Sequence, residues 1–558
     1  MVAVLAACAP ALPETVVPNT EITLGWTAQA TSLNSLASPT AANLDIAAMT
    51  RSDFGDLIDG EFVADPSFGT VEIVGNDPFT VRYDLAEPMW SDGIPLDAAD
   101  LLLGWAGASG YFAPDGDGED AEADAQADMG GELTVPTLDE FARAIDVTLA
   151  QPTRQWQQLV SAPVPAHVVG QRAFGTEDPM EAKQSVIRAI RADDTAALEK
   201  IAAVWNDDFE ITQGGDAPAD ILLSSGPFQI EKISGGESGQ SIRLAPNPSY
   251  RGIPTAQVAR IDLVPPGDAP LDLVGDTLDI LQVAPLAANR APIRELERQD
   301  FTVDTGHDGT VWAVQLKPAG VFAAQPARVA FIHAVPASSL REAGGGEWAS
   351  AYTGSISMVS APGSEAYDIV GEDSGFTTTL GTKGDDPVLE RLNAGVPDGS
   401  RVCVLYDRGS EFAVGAFSAL RAAAGESGWN VVDCGSDDLD AAIAQSGWDA
   451  VIARVPIPQT ADQIAAQWGT GGDAASFTGQ ADPARDALIA QLAITTDVYE
   501  ARDLLAQIEA TIVQAAVALP IAVNPRVTVI DRDVTGVATR DGAVAAVTSG
   551  VAQWAVVP

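Results

Sequence analysis

The stretch WSDGIPLDAADLLLGW, Trp90 to Trp105, carries a sequence of local instructions. Ser91, Asp92 and Gly93 supply turn chemistry, the glycine being free to take a positive φ. Pro95 has no amide donor and ends strand pairing. Asp97 can then cap a helix, Asp100 sits near the positive end of its dipole, and Leu101, Leu102 and Trp105 form its apolar stripe. Just upstream, FTVRYDL alternates Val81, Tyr83 and Leu85 onto one side, as a half-buried strand does. The segment reads as strand, turn and capped helix. Trp90 could face a ligand or hold this junction; a tryptophan beside a turn glycine more commonly serves packing.

Outward from this segment, EITLGW reads as the first strand, and a mostly polar stretch runs to about position 65. FGTVEIVG is a further strand. Residues 179–205 have helical apolar spacing, and SSGPFQIEKISGGESGQSIRLAPNPSY is two alternating runs joined by a Gly-rich turn. Residues 401–454 alternate strand and helix (RVCVLY, SEFAVGAFSALRAAAG, WNVVDC, DLDAAIAQSG, WDAVIARV), the pattern of a parallel, helix-covered sheet. A long helix at 497–518 leads into LPIAVNPRVTVI. No repeat with a period of 20 to 50 residues is present.

A chain of 558 residues exceeds what one hydrophobic core supports, so roughly three folding units are expected. Its 78 acidic and 30 basic side chains give a formal charge of −48. Such a surface repels phosphate backbones, which excludes nucleic acid as a partner, and also fits a salt-tolerant style of surface unrelated to any ligand. TIVQAAVALPIAV at 511–523 is interrupted by Gln514 and Pro520 and reads as a helix end followed by a strand, too short to cross a bilayer. The acidic run 114–128 has calcium-loop spacing at its start, but Asp120 and Gln126 stand where the motif needs Gly and Glu; a solvated loop is the simpler reading.

LAAC at Leu5 to Cys8, followed by a proline-containing linker at 9–20, resembles a bacterial lipobox, in which the cysteine thiol takes a diacylglyceryl group. Residues 1–8 are then a truncated lipoprotein signal. Two cysteines remain, Cys403 and Cys434, on neighbouring strands of the alternating region; a disulfide and two buried thiols are both compatible with that placement. The histidines His167, His307 and His333 are scattered, and HExxH, CxxC, P-loop, GxGxxG and GxSxG patterns are all missing from the chain. No cofactor or metal is expected, and the reading is of a protein that is not an enzyme.

Taken together these segments resemble the bacterial extracellular solute-binding protein family of ABC importers that includes the oligopeptide- and dipeptide-binding lipoproteins. The resemblance rests on WSDGIPLDAADLLLGW, on SSGPFQI with LAPNPSYRG and VARIDLV, on LVGDTLDILQVAP, on PARVAFIHAV, and on DPARDALIAQL with the closing helix, in family order from about position 22 onward. It implies a mixed α/β, two-lobed periplasmic-binding-protein-like fold. Lobe I would comprise 21–50, 165–270 and 500–558 with an extra subdomain at 51–164, and lobe II would comprise 271–499. It implies peptide or a similar small solute held between the lobes, ABC permease subunits as partners, membrane contact through the lipid anchor, an extracellular location and a monomer. A cell-surface sensor with the same fold is the alternative.

The segments matching the family's ligand contacts are Ser32, Leu33 and Asn34 in the first lobe, and Arg454, Val455 and Pro456 at the end of a second-lobe strand. Peptide binders of the family carry an aspartate there. Arg454 would disfavour an ammonium group and could hold a carboxylate, or could equally form an ion pair with an acidic neighbour. Trp312, Trp468 and Phe477 are further candidates for ligand contact, with core packing as the alternative role.

Overall fold

The computed structural model describes residues 13–113, 134–139, 143–212, 217–236, 239–381, 386–472 and 480–557. Cys8, Phe477 and the acidic run 114–128 lie outside the described residues. The chain opens with β1 (Val17–Gly25) and a helix, Ala41–Thr50, capped by Thr40. A hairpin follows, β2 (Gly55–Ile58) and β3 (Glu61–Ala64), and then an antiparallel sheet ordered β4-β5-β7-β6 from β4 (Gly69–Asn76), β5 (Phe79–Leu85), β6 (Thr137–Leu138) and β7 (Ala144–Leu149). The helix and hairpin within 26–65 were not legible as elements, because the helix has apolar residues on every side and the two strands are only four residues long.

Apart from a short antiparallel pair, Val534–Thr535 with Ala555–Val556, the remaining strands form one ten-stranded sheet. They are β8 (Phe228–Gly236), β9 (Gly239–Pro246), β10 (Val258–Val264), β11 (Ile280–Val283), β12 (Thr302–Leu316), β13 (Ser400–Tyr406), β14 (Trp429–Asp433), β15 (Ala450–Pro456) and β16 (Ala518–Ile530), with β1. Their order is β14-β13-β15-β12-β16-β11-β1-β10-β9-β8. The alternation expected over 401–454 is present: β13 runs parallel to both β14 and β15, with helix Glu411–Glu426 covering it. Cys403 and Cys434 are joined as a disulfide at the β13–β14 edge.

Two lobes arise because β12 and β16 are long enough to serve both. Thr302–His307 pairs with Ile530–Pro525 on the first-lobe side, where β16 also pairs with β11. Val311–Gln315 pairs with Val523–Ala518 on the second-lobe side, where β12 also pairs with β15. The register breaks between His307 and Val311, and Gly309 there takes a φ of +79°. Extra residues in one strand bend a ladder and raise its twist, which places the bend between the lobes.

The first-lobe core collects apolar side chains from Val16 through Ile280 and again from Ile530 to Trp554, and the β4–β7 subdomain shares it. Helix Val498–Ala515 packs elsewhere: Leu504, Ile508 and Ile512 meet Ile489, Leu492 and Trp468 in the second lobe. The chain therefore returns to the first lobe within β16, some way after position 500. An apolar stripe shows that a helix is buried without showing against which core.

The Trp90–Trp105 segment is held by Asp100, which is fully buried. Asp97 and Asp100 form a capping box at the start of helix Ala98–Ala108. One Asp100 oxygen accepts from Trp90 Nε1 at 3.1 Å and from the Ala166 amide at 2.8 Å. The other accepts from the Asp97 amide at 2.9 Å and from Lys183 Nζ at 2.8 Å. Lys183 is itself buried and also donates to Pro95 O. Trp90 thus anchors the junction of turn, helix and following helices. Replacing Asp100 with Ala strands the Lys183 ammonium beside Asp97 alone, and is expected to cost about 3–5 kcal/mol in urea unfolding; a loss under about 1 kcal/mol would show that the segment is held by its apolar stripe.

Candidate functional site

Between the lobes lies a cleft with a cavity volume of about 870 Å³. Its first-lobe wall is built from the sequence RSDFGDLIDGEF. Asp59 and Gly60 both take positive φ, 51° and 80°, and close β2 onto β3 as a two-residue turn. That turn chemistry makes β2 a short strand whose flanks bring Asp53, Asp56 and Asp59 to the cleft. Tyr250, in the turn after β9, and the segment around Arg540 and Asp541 complete this wall. The second-lobe wall is the β12 bulge at Gly309 and Thr310, Pro456 and Ile457 at the end of β15, and Gln463 and Gln467 of helix Ala461–Trp468.

The charged groups of the cleft differ in how far they are satisfied. Arg51 donates to Pro163 O at 2.7 Å, Leu223 O at 2.6 Å and Thr50 O at 3.1 Å, and lies over the Trp90 ring. Burial lowers its guanidinium to about 10. Arg540 pairs with Asp56 at 3.1 Å. The Asp53 carboxyl accepts from the Phe54 amide at 2.8 Å, and burial with nearby Asp56 pushes it up to about 7. Burial also raises Asp59, against the pull of His307. The Tyr250 hydroxyl is pushed up to about 12 by burial and by Asp65. Among the described residues, no group of three His, Cys, Asp or Glu is arranged to hold a metal ion.

The residues expected from sequence to meet a ligand are distributed differently. Pro456 lines the cleft. Ser32, Leu33 and Asn34 are buried: the Asn34 side chain donates to Trp205 O and accepts from Leu36 and Ala37, while Ser32 is bridged to Glu210. Their neighbour Ser35 reaches the cavity. Arg454 pairs with Asp308 at 3.2 Å, and Asp308 also accepts from Asn524 at 2.7 Å. Asn524 in turn accepts from Trp312 Nε1 at 2.9 Å, and the Trp312 ring stacks on Phe412. Arg454 and Trp312 therefore belong to a network beside the β12 bulge. Val455 packs in the second-lobe core, and Trp468 is enclosed in the same core at 1% exposure. Asp53, Asp56, Asp59, Tyr250 and Arg540 were not singled out from sequence. The available signal was the Asp59-Gly60 dipeptide, a hairpin turn that carries three aspartates with it.

No protein-family model matches the chain. An uncharacterized lipoprotein of Mycobacterium bovis is 28% identical over 262 residues, 45% of this chain and 43% of that protein. One of Mycobacterium leprae is 26% identical over 312 residues, 54% and 51% of the two chains. The match thus spans about half the length of these curated relatives. Solved structures align over nearly the whole chain. The periplasmic EDTA-binding protein EppA matches with a TM-score of 0.74 at 16% identity, covering 96% of each chain. The oligopeptide-binding protein AppA of Bacillus subtilis, in complex with a nonapeptide, matches with a TM-score of 0.60 at 12% identity, covering 96% and 99%. The fold is that of the substrate-binding proteins of ABC transporters. NikZ from Campylobacter jejuni, in complex with Ni(L-His), has it too, with a TM-score of 0.65 at 12% identity over 97% of this chain and all of that one.

In this substrate-binding-protein fold the two lobes also meet at the β2–β3 hairpin. Arg502 of the second lobe grips Glu61 of β3 with Nε–Oε1 at 2.7 Å and Nη2–Oε2 at 2.9 Å. The Arg154 amide donates to Ala493 O at 2.7 Å, and its guanidinium donates to Gly60 O. Bidentate guanidinium–carboxylate pairs fix orientation as well as distance. A Glu61→Gln variant is expected to loosen this seam, raising the radius of gyration of the ligand-free protein in small-angle X-ray scattering. An unchanged radius would show that Phe62 and Ile494, which flank the pair, hold the lobes together.

Proposed function

We propose that this chain is the solute-receiving component of an ABC importer: it holds a peptide or similar small solute between its lobes and hands it, chemically unchanged, to a membrane permease. The observation that carries the reading is a cavity of about 870 Å³ whose opposite walls belong to lobes joined through one pair of strands. A cleft closing about such a hinge converts occupancy into shape, which is what a permease can distinguish. The neighbours support it, since AppA holds a nonapeptide and NikZ a nickel–histidine complex.

We place the protein outside the cell on a lipid anchor. The mycobacterial relatives are named as lipoproteins, LAAC ends at Cys8, and among the described residues no helix is long and apolar enough to cross a membrane. The anchor is tested by mass spectrometry of membrane-extracted protein, where a diacylglyceryl adduct on Cys8 is expected and an unmodified thiol overturns it.

Protein purified without denaturation should carry a small molecule identifiable by native mass spectrometry. Returned at 100 times its dissociation constant, that compound should stabilise the fold by about 2.7 kcal/mol and compact it in scattering. No co-purifying compound and no stabilisation by peptides would overturn the receptor reading. Stabilisation and compaction with unimpaired solute uptake in a deletion strain would assign the protein to sensing instead.

A further inference from the structure

The hydrogen-bonding capacity of the cleft is lopsided. Its two guanidinium groups are already spoken for, Arg51 by three backbone carbonyls and Arg540 by Asp56. Two of its acceptors, Asp53 and Gln467, are not. Among the described residues, no cationic side chain pairs with the Asp53 carboxyl, whose one hydrogen bond comes from the adjacent Phe54 amide and whose charged neighbour, Asp56, has the same sign. Across the cavity, Gln467 donates its amide nitrogen to Pro456 O at 3.0 Å, which fixes the orientation of the group, and its Oε1 is buried with no partner among the described residues. Both residues line the same cavity from opposite lobes. A half-buried carboxylate without a counter-ion is poorly compensated, and an unfilled buried acceptor adds to that cost.

We infer that the cargo is cationic: an ammonium or guanidinium group docks on Asp53 and donates across the cleft to Gln467 Oε1 as the lobes close. The inference rests on the solute-binding reading above and narrows it to a charge class. It also replaces the expectation of a carboxylate held by Arg454, which is paired with Asp308 beside the bulge and does not line the cavity. Docking of a cation would restore the charge that burial otherwise drives out of Asp53, so affinity should rise from pH 6 to pH 8. The titratable and charged groups around Asp53 are Asp56 on β2, Tyr83 on β5, and Asp59, Asp65, Tyr250, Arg51, Arg540 and Asp541 around the cavity.

The test uses the whole protein and three probes measured by calorimetry: spermidine, Ala-Lys-Ala and Ala-Glu-Ala. Both peptides are N-acetylated, so that neither offers an α-ammonium group, and they differ only in the side-chain charge. Spermidine or the lysine peptide should bind at least about tenfold more tightly than the glutamate peptide at pH 8, with the advantage shrinking at pH 6. Asp53→Asn should abolish both the preference and its pH dependence, and Gln467→Met should weaken cation binding several-fold while leaving the ligand-free fold intact. Ligand-free Asp53→Asn carries a second readout. The native carboxyl holds its proton up to about 7 whereas an unfolded one releases it near 3.8, so native stability is lost between those values. The variant should therefore melt higher than the parent at pH 8, with the gap narrowing at pH 4; a lower melting temperature at pH 8 would make Asp53 a structural hydrogen-bonding group and overturn the assignment. Equal or tighter binding of Ala-Glu-Ala would overturn the charge class and leave solute binding intact. Failure of all three probes and of any co-purified compound would overturn the solute-binding reading along with it.

Discussion

Everything that gives this chain a cleft rests on the pairing of β12 with β16. These two strands run through both halves of the ten-stranded sheet, and their register breaks at Asp308 and Gly309, where one lobe ends and the other begins. An unbroken ladder of that length would make one stiff sheet. The bulge localises bending, and the groups around it stop the bend from becoming disorder: Asp308 accepts from the Thr310 amide, from Asn524 and from Arg454, and Asn524 is in turn fixed by the Trp312 indole. The register break is thus tied to both strands by side-chain hydrogen bonds.

The β2–β3 hairpin provides a second point of contact between the lobes. The Glu61–Arg502 pair and the backbone bonds of Arg154 join a hairpin of the first lobe to helices of the second. The same hairpin carries Asp53, Asp56 and Asp59 along the cleft wall. One short piece of chain therefore supplies both a contact between the lobes and carboxylates that line the cleft.

The net charge of −48 says little about this. Spread over an exposed surface, carboxylates are hydrated and screened within about 8–10 Å. What distinguishes Asp53 is its local setting, in which the carboxyl is half-buried, its charged neighbour has the same sign and the available cations are committed elsewhere. Position, and not count, turns an acidic residue into a recognition group.

The sequence by itself determined the elements whose signals are local. The turn at Ser91 to Gly93, the capping box at Asp97 and Asp100, the alternation of β5 and the strand–helix pattern from β13 to β15 each depend on residues a few positions apart, and their family order carried the two-lobed fold. Tertiary structure alone decided what depends on partners far along the chain. It put helix Val498–Ala515 into the second lobe, because an apolar stripe does not name its core. It joined Cys403 to Cys434, which required strand register. It drew Trp312 and Arg454 into the hinge network and enclosed Trp468, leaving Asp53 and Gln467 to face the cavity. Which side chains line a cleft is set by how two lobes meet, and no local pattern of residues encodes that meeting.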